Sequence, residues 1–549
     1  IVEALDWLVI GVFFLALIGI IVWVVRQKQN DSADYFLGGR DATWLAIGAS
    51  IFASNIGSEH LIGLAGAGAS SGLAIAHWEI QGWMILILGW VFVPFYTRSM
   101  VYTMPEFLER RYNPQSRTIL SVISLVSYVL TKVAVTVYAG GLVFQQVFGI
   151  KELWGIDFFW IAAIGLVVLT AIYTIFGGMK SVLYTSVLQT PILLLGSLII
   201  LVLGFKELGG WDEMMRVCGA VTVNDYGDTM TNLIRSNDDA NFPWLGALIG
   251  SAIIGFWYWC TDQFIVQRVL SGKNEKEARR GTIFGAYLKL LPVFLFLIPG
   301  MIAFALHQKY IGAGGEGFLP MLANGTANAD AAFPTLVAKL LPAGVKGLVV
   351  CGILAALMSS LASLFNSSAM LFTIDFYKRF RPETPEKKLV GIGQVATVVI
   401  VILGILWIPI MRSVGDVLYT YLQDVQSVLA PGIAAAFLLG VCWKRTSAQG
   451  GMWGLISGMV IGLTRLGAKV YYSNAGEVAD STFKYLFYDM NWLFFCGWMF
   501  LFCMIVVIVV SLTTKAPTAE KIQGLVFGTA TKEQKAATRA SWNHWDIIH

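Results

Sequence analysis

Thirteen long apolar runs constrain the fold of this chain more than any other feature, because each can cross about 30 Å of hydrocarbon as a helix. They lie near residues 5–26, 43–66, 73–97, 117–147, 157–177, 183–205, 244–268, 281–306, 345–375, 389–412, 414–441, 449–472 and 490–512. The first run is too long for the apolar core of a signal peptide. Only 13% of the residues are charged, against roughly 25% in soluble domains. The sequence therefore predicts an all-α integral membrane protein that forms one continuous bundle in the lipid bilayer.

Charge and cysteine content exclude several classes of function. A net charge of +4 over 549 residues is too small to indicate a nucleic-acid partner. The six cysteines lie mostly inside apolar runs, without the paired spacing of a disulfide framework or a zinc site. No nucleophile-and-base pair, phosphate-binding glycine loop or metal-ligand cluster stands out in the sequence. We therefore expect no enzymatic activity and no organic cofactor.

Basic residues follow a regular pattern along the loops. Loops with clusters such as Arg110 and Arg111 fall on one side of the membrane, whereas the long loop 206–243 is dominated by acidic residues. Short loops rich in Lys and Arg stay in the cytoplasm. The pattern therefore predicts an N-terminus outside the cell and a cytoplasmic tail at 513–549. We expect the protein in the plasma membrane.

Two of the predicted spans are interrupted by polar residues, at 54–60 and at 261–263. These spans are the second and the seventh, so they stand five helices apart and enter the membrane from opposite sides. This arrangement predicts a five-plus-five inverted-repeat transporter fold with discontinuous helices and additional flanking helices. The predicted units are a first helix and loop at 1–42, repeats at 43–205 and 244–441, an outer loop at 206–243, additional helices at 442–512 and the tail at 513–549.

Polar side chains deep in the spans mark candidate sites, because such groups are costly in lipid. The first interruption brings Asn55 and His60 together beside unpaired backbone. The alternative is a glycine-kinked helix whose polar groups satisfy one another. Glu79 and Lys289 lie roughly 10 and 13 Å inside their spans at 1.5 Å per residue. Gln423 lies at a similar depth. A water-exposed carboxylate and a structural hydrogen bond between helices remain open alternatives for Glu79 and Gln423.

The ninth span contains serines on one helical face, at Ser360, Ser363 and Ser367. Hydroxyl oxygens suit a hard cation, but serines also pack helices together. Spacing alone favours neither interpretation. For Asp262 and Arg268, at the inner end of the seventh span, we expect a structural ion pair.

Six stretches, in order along the chain, match a known family. They read ASNIGSEH at 53–60, YTMPEF at 102–107, GGM at 177–179, WYWCTDQ at 257–263, YLKL at 287–290 and LMSS at 357–360. On these residues the chain resembles the sodium:solute symporters, and within them the sodium/glucose cotransporter branch, over almost its whole length.

The resemblance implies a solute site at mid-membrane between the two repeats. The positions that match the sugar contacts of the family are Asn55, His60, Glu79, Tyr258, Lys289 and Gln423. Tyr258 also matches the aromatic residue that stacks on the sugar as an inner gate. Leu64, Trp78 and Tyr419 match the outer hydrophobic gate. Gly255 replaces an Asn or Thr of relatives, so we expect the Tyr258 hydroxyl to lack that partner.

By the same resemblance, sodium would be the co-substrate. Its principal site would comprise the carbonyls of Ala53, Ile56 and Ala356 with the hydroxyls of Ser359 and Ser360. Members with a second sodium site carry an Asp where this chain has Ser186, and some carry a hydroxyl where it has Ala362. We therefore predict one sodium ion per sugar.

The resulting expectation is a sodium-driven symporter that imports a hexose, glucose or galactose, by alternating access. The same mechanism acting on myo-inositol is the first alternative, because relatives that transport this cyclitol share the pattern at 57–60. A sugar-gated sensor or a sodium leak is the second. Concentrative uptake separates them, since neither a sensor nor a leak can build a solute gradient.

Overall fold

The computed structural model describes residues 2–27, 31–57, 59–322, 324–414 and 418–549, except for the side chains of residues 129–131, 134, 142, 407–424, 470 and 473. Within these ranges, nine helices are long and apolar enough to cross a membrane: Ala4–Arg26, Leu73–Ser99, Phe158–Leu208, Trp244–Thr261, Glu275–Gly312, Val345–Phe380, Glu386–Leu406, Val425–Cys442 and Trp492–Thr513. Two shorter apolar helices are Trp44–Asn55 and Val135–Phe148. The strands Glu152–Leu153 and Ile156–Asp157 pair as an antiparallel hairpin.

Other helical segments connect or flank these spans. They include Ser32–Leu37, Glu59–Leu64, Ala65–Ser70, Met104–Arg111, Pro114–Ser127, Trp211–Gly219, Gln263–Leu270, Ala332–Leu340, Ala448–Asn474, Lys532–Ala540 and His544–Ile548, and the span Val425–Cys442 is part of the helix Leu418–Cys442. Helical structure thus covers most of the described part of each apolar run that the sequence predicts as a span.

The longest helix, Phe158–Leu208, contains two predicted spans that are separated at Gly178. This glycine has φ 60° and ψ −149°, which is not helical. Only glycine adopts this backbone conformation without strain. The Tyr35 carbonyl also lies where a Cβ on Gly178 would be placed. The chain therefore reverses here, between 157–177 and 183–205, because residue 178 has no side chain.

The substitution Gly178→Ala should lower the free energy of unfolding by about 3 kcal/mol, from backbone strain and from overpacking against Tyr35. Thermal unfolding in detergent micelles measures this change. Gly165→Ala is the matched control, because a Cβ at Gly165 has nothing within 4 Å. Equal stability of the two variants would contradict this account of the reversal.

Two helices are interrupted where the sequence predicts. Trp44–Asn55 ends at Ile56, which is extended with φ −77° and ψ 113°, and helical structure resumes at Glu59–Leu64. The helix Trp244–Thr261 ends at Asp262, which is extended with φ −81° and ψ 131°. Both interruptions leave main-chain groups without helical partners inside the bundle.

Two further interruptions are not among the predictions. The helix Ala76–Ile80 ends in a turn at Gln81 and Gly82 before Trp83–Ile87 begins. Another helix, Glu275–Leu288, ends just before Lys289. Gly82 and Pro292 mark these places in the sequence, since glycine weakens helices and proline lacks the backbone N–H.

The helix Trp44–Asn55 lies between three other helices and joins the two halves of the bundle. It packs against Glu275–Leu288, Val345–Met370 and Phe158–Leu208. Glycines allow the first of these contacts to be close, because a Cβ at Gly48 would lie 2.9 Å from the Gly281 carbonyl oxygen. The first interruption is therefore held beside the serine-bearing helix on one side and the segment leading to Lys289 on the other.

Candidate functional site

The helix interruptions surround one polar cavity. The interruption after Trp44–Asn55 contributes Asn55 and His60 to the cavity wall. The turn at 81–82 contributes Gln81, and the end of Glu275–Leu288 contributes Lys289. The complete lining consists of Asn55, Glu59, His60, Leu64, Trp78, Glu79, Gln81, Ile254, Tyr258, Trp259, Lys289 and Gln426. Five of the six residues predicted to contact a sugar therefore lie around the same space.

Lys289 is the centre of the cluster. Its Nζ lies 2.6 Å from Glu79 Oε2 and 3.2 Å from His60 Nε2, and it donates to Asn55 Oδ1 at 2.6 Å. His60 Nε2 lies 3.1 Å from Glu79 Oε1. Lys289, Glu79 and His60 are each less than 5% exposed. The ammonium and the carboxylate thus compensate each other in a site from which water is largely excluded.

Glu79 lies inside the bundle, away from the water interface. Its side chain is 3% exposed and paired with Lys289, so it is not a water-exposed carboxylate at the interface. The Lys289 side chain is buried in the same way, so its ammonium does not extend to the membrane surface. Both groups belong to one buried ionic pair, which neither span reveals alone.

The Tyr258 hydroxyl has a partner, although Gly255 cannot supply one. Asn55 Nδ2 donates to Tyr258 Oη at 3.0 Å. The hydroxyl thus has no partner at residue 255, as expected, and its hydrogen bond comes instead from an amide of the other interrupted helix. Asn55 joins Lys289 to Tyr258, with its carbonyl accepting from one and its amide donating to the other.

Several polar atoms around the cavity have no partner among the described residues. They are His60 Nδ1, Gln81 Oε1 and Trp259 Nε1. A buried polar atom without a hydrogen bond costs free energy that a suitable ligand recovers. Donors and acceptors of both kinds line this space, together with the rings of Tyr258 and Trp259. The lining therefore offers hydrogen-bond partners to hydroxyl groups and aromatic rings to an apolar face.

The predicted outer gate is partly described. Leu64 and Trp78 line the cavity, and the Trp78 ring centroid lies 5.6 Å from that of Trp492. Tyr419 and Gln423 lie outside the described side chains, so their roles remain predictions. Gln426 is one helical turn beyond Gln423 and does line the cavity.

Of the predicted sodium residues, Ala53 and Ile56 lie at the end of the helix Trp44–Asn55, and the other three lie on the helix Val345–Met370. Ser360 Oγ donates to the carbonyls of Ile56 at 2.8 Å and of Ser54 at 3.0 Å. A Cβ at Gly57 would lie 2.7 Å from Ser360 Oγ, so glycine permits this approach. Carbonyl and hydroxyl oxygens thus converge where the helix ends, which is the chemistry a hard cation requires.

The remaining predicted sodium residues are less closely grouped. Ala53 and Ala356 are fully buried. Ser359 donates to the Gln189 carboxamide, and Ser363 shares a hydrogen bond with Ser54. Sequence reasoning missed Gln189, although an amide inside an apolar span is itself a signal.

Asp262 pairs with Lys132 instead of Arg268. Its Oδ2 lies 3.1 Å from Lys132 Nζ, and Tyr128 donates to Oδ1. Arg268 donates instead to the Phe264 carbonyl and, at 3.4 Å, to Ser367 Oγ. The expected Asp262–Arg268 pair was wrong, because a lysine from a distant span is closer than the arginine on the same one.

Comparisons with known proteins agree on the class of transporter. The sequence profile of the sodium:solute symporter family matches residues 35–458. A human sodium/myo-inositol cotransporter 2 is 36% identical over 538 residues, which cover 95% of this chain and 79% of the relative. A zebrafish sodium/glucose cotransporter 4 is 36% identical over 536 residues, which cover 94% of this chain and 80% of that relative.

Solved structures confirm the fold. An outward-open Na+-coupled sialic acid symporter matches with a TM-score of 0.74 and 22% identity, over 94% of this chain and 99% of that one. At this identity the likeness shows the fold alone. It confirms the predicted all-α, five-plus-five inverted-repeat architecture with discontinuous and flanking helices. On its sequence profile, its relatives and its fold, this chain belongs to the sodium:solute symporter family and is a sodium-coupled membrane symporter of a small solute.

Proposed function

We propose that the protein uses an inward sodium gradient to import a polyhydroxylated six-membered ring, with myo-inositol as the first candidate and a hexose, glucose or galactose, as the second. The observation that carries this proposal is the Lys289 cluster, in which Glu79, His60 and Asn55 converge on one ammonium. A neutral polyol offers donors and acceptors to all four groups without adding a charge to a buried site.

The order of the two candidates comes from the relatives. The human relative is named as a myo-inositol cotransporter and the zebrafish relative as a glucose cotransporter, at the same 36% identity. Mouse and pig myo-inositol cotransporters are equally similar. The hexose that the sequence favours therefore becomes the second candidate.

In this proposal the solute contacts are Asn55, His60, Glu79, Tyr258, Lys289 and Gln423, and the gates are Leu64, Trp78, Tyr258 and Tyr419. Sodium binds at Ala53, Ile56, Ala356, Ser359 and Ser360. The helix end at Ile56 supports the coupling, because it accepts from Ser360 on one side and follows Asn55 on the other. Sodium bound there favours the state that binds solute by differential affinity.

The proposed topology has the N-terminus outside and the tail at 513–549 in the cytoplasm of a cell with this protein in its plasma membrane. It is supported by the basic loops on one side and the acidic loop 206–243 on the other. Import then runs from the side of the acidic loop to the side of the basic ones.

Uptake into proteoliposomes tests the proposed function. Labelled myo-inositol, glucose and galactose are each supplied with and without an inward sodium gradient, with the other two as unlabelled competitors. Sodium-driven accumulation of myo-inositol, weakly inhibited by the hexoses, is the expected result. Accumulation of a hexose that resists inositol would support the second candidate. Binding without accumulation would instead identify a sensor or a leak.

One sodium ion should enter with each solute molecule, because Ser186 lacks the carboxylate, and Ala362 the hydroxyl, of relatives with a second site. Simultaneous uptake of 22Na+ and labelled solute gives the ratio directly. A flux ratio near one is expected. A ratio near two would contradict the single-site prediction.

A further inference from the structure

Gln81 occupies an unusual place in the cavity wall. It lies in the turn between the helices Ala76–Ile80 and Trp83–Ile87. In a continuous helix, residues two apart point to different faces. Here both Glu79 and Gln81 line the same cavity, and the turn begins at Gln81. The turn therefore adds a carboxamide to a wall that already contains the carboxylate.

Gly255 provides the space that this carboxamide fills. A Cβ at Gly255 would lie 2.8 Å from Gln81 Oε1 and 3.2 Å from Met84 Cγ. Cβ atoms essentially never approach another heavy atom as closely as the first of these distances. Any residue larger than glycine would displace the amide. The position of the Gln81 side chain thus depends on the absence of a side chain at 255.

Gln81 is buried, yet its Oε1 has no hydrogen-bond partner among the described residues. This distinguishes it from Lys289, Glu79 and Asn55, which already contact one another. A ligand hydroxyl that approaches Lys289 competes with existing contacts. A hydroxyl that approaches Gln81 replaces none, so its hydrogen bond adds to binding without an offsetting loss.

We infer that the Gln81 carboxamide binds one hydroxyl group of the transported ring and that Gly255 keeps the space in which it does so. Gln81 is then a specificity-determining residue, because it recognises the presence and orientation of a hydroxyl at one ring position. The inference rests on the proposed function, since it needs a hydroxylated solute.

The test compares wild-type protein and Gln81→Met in proteoliposomes under a sodium gradient. Methionine has a similar length and volume but no amide. The substrates are the accepted ring and a set of its analogues, each lacking a single hydroxyl. We expect the KM of Gln81→Met to rise about three- to tenfold for the ring, which corresponds to one neutral hydrogen bond. For one analogue, the one that lacks the recognised hydroxyl, wild type and variant should have the same KM.

This pattern separates recognition from a structural role. A rise of KM that is equal for the ring and every analogue would overturn the inference, because general damage to the site does not depend on one hydroxyl. An unchanged KM for the ring would overturn it also. If wild-type protein accumulates none of the polyols, the proposed function fails, which is a different result from failure of Gln81 alone.

Gly255→Ala provides an independent approach if Gln81→Met does not fold. Its Cβ displaces the amide while leaving Gln81 in the sequence. Gly255→Ala should therefore raise the KM for the ring and leave the KM for the analogue without the recognised hydroxyl unchanged. In the double variant Gly255→Ala/Gln81→Met, the KM should equal that of Gln81→Met alone, since the displaced group is already absent. Additive effects would contradict the coupling of the two residues.

Discussion

Lys289→Met should abolish sodium-driven solute uptake and lower the free energy of unfolding by about 3–5 kcal/mol. The stability loss follows from Glu79, whose buried carboxyl group would lose the ammonium 2.6 Å away that compensates its charge. Uptake is lost because Lys289 also orients Asn55 and His60. Proteoliposome uptake and thermal unfolding of the purified protein measure the two effects separately.

A second variant separates the two contributions. Lys289→Met/Glu79→Gln removes both charges, so the unfolding free energy should return most of the way to that of wild type while uptake stays absent. Wild-type uptake by Lys289→Met would reject Lys289 as a solute contact. Failure of the double variant to recover stability would show that the pair is not the source of the loss.

Ser360→Ala should raise the sodium concentration for half-maximal uptake by about ten- to hundredfold, the range expected for one contact to a charged group. The structural reason is that Ser360 Oγ lies against the Ile56 and Ser54 carbonyls at the helix end. Solute affinity at saturating sodium should change little. Initial uptake rates over a range of sodium concentrations measure the effect.

Ser368→Ala is the matched control, because Ser368 is equally buried on the same helix. Its sodium dependence should match that of wild type. If Ser360→Ala retained wild-type sodium dependence, the sodium site would have to lie elsewhere. If both variants lost sodium activation, the effect would reflect packing of the serine helix.

The features that follow from local chemistry could be predicted from the sequence. Long apolar runs predict spans, and the polar stretch at 54–60 predicts an interrupted helix, because lipid imposes both rules residue by residue. The chain reversal near Gly178 is predicted because a short loop separates the apolar runs 157–177 and 183–205. Five of the predicted solute contacts, chosen by depth, polarity and resemblance, lie around one cavity in the structure.

Pairings between distant spans could not be predicted in this way. Lys132, not Arg268, is the partner of Asp262, and Asn55 is the partner of Tyr258. Such choices depend on how the helices pack, and no local pattern encodes that. The turn at Gln81 was missed for a different reason: its signal, Gly82, is one glycine among 56.

The internal pairing of Lys289 with Glu79 bears on how the membrane potential acts on transport. One elementary charge that crosses the full potential changes the free energy by about 2.3 kcal/mol per 100 mV. The ammonium and carboxylate lie 2.6 Å apart and carry no net charge between them. With a neutral solute, the electric field therefore acts on the sodium ion and its site. The Lys289–Glu79 pair and the solute contribute no net charge. Voltage should then change the apparent affinity for sodium more than the affinity for solute.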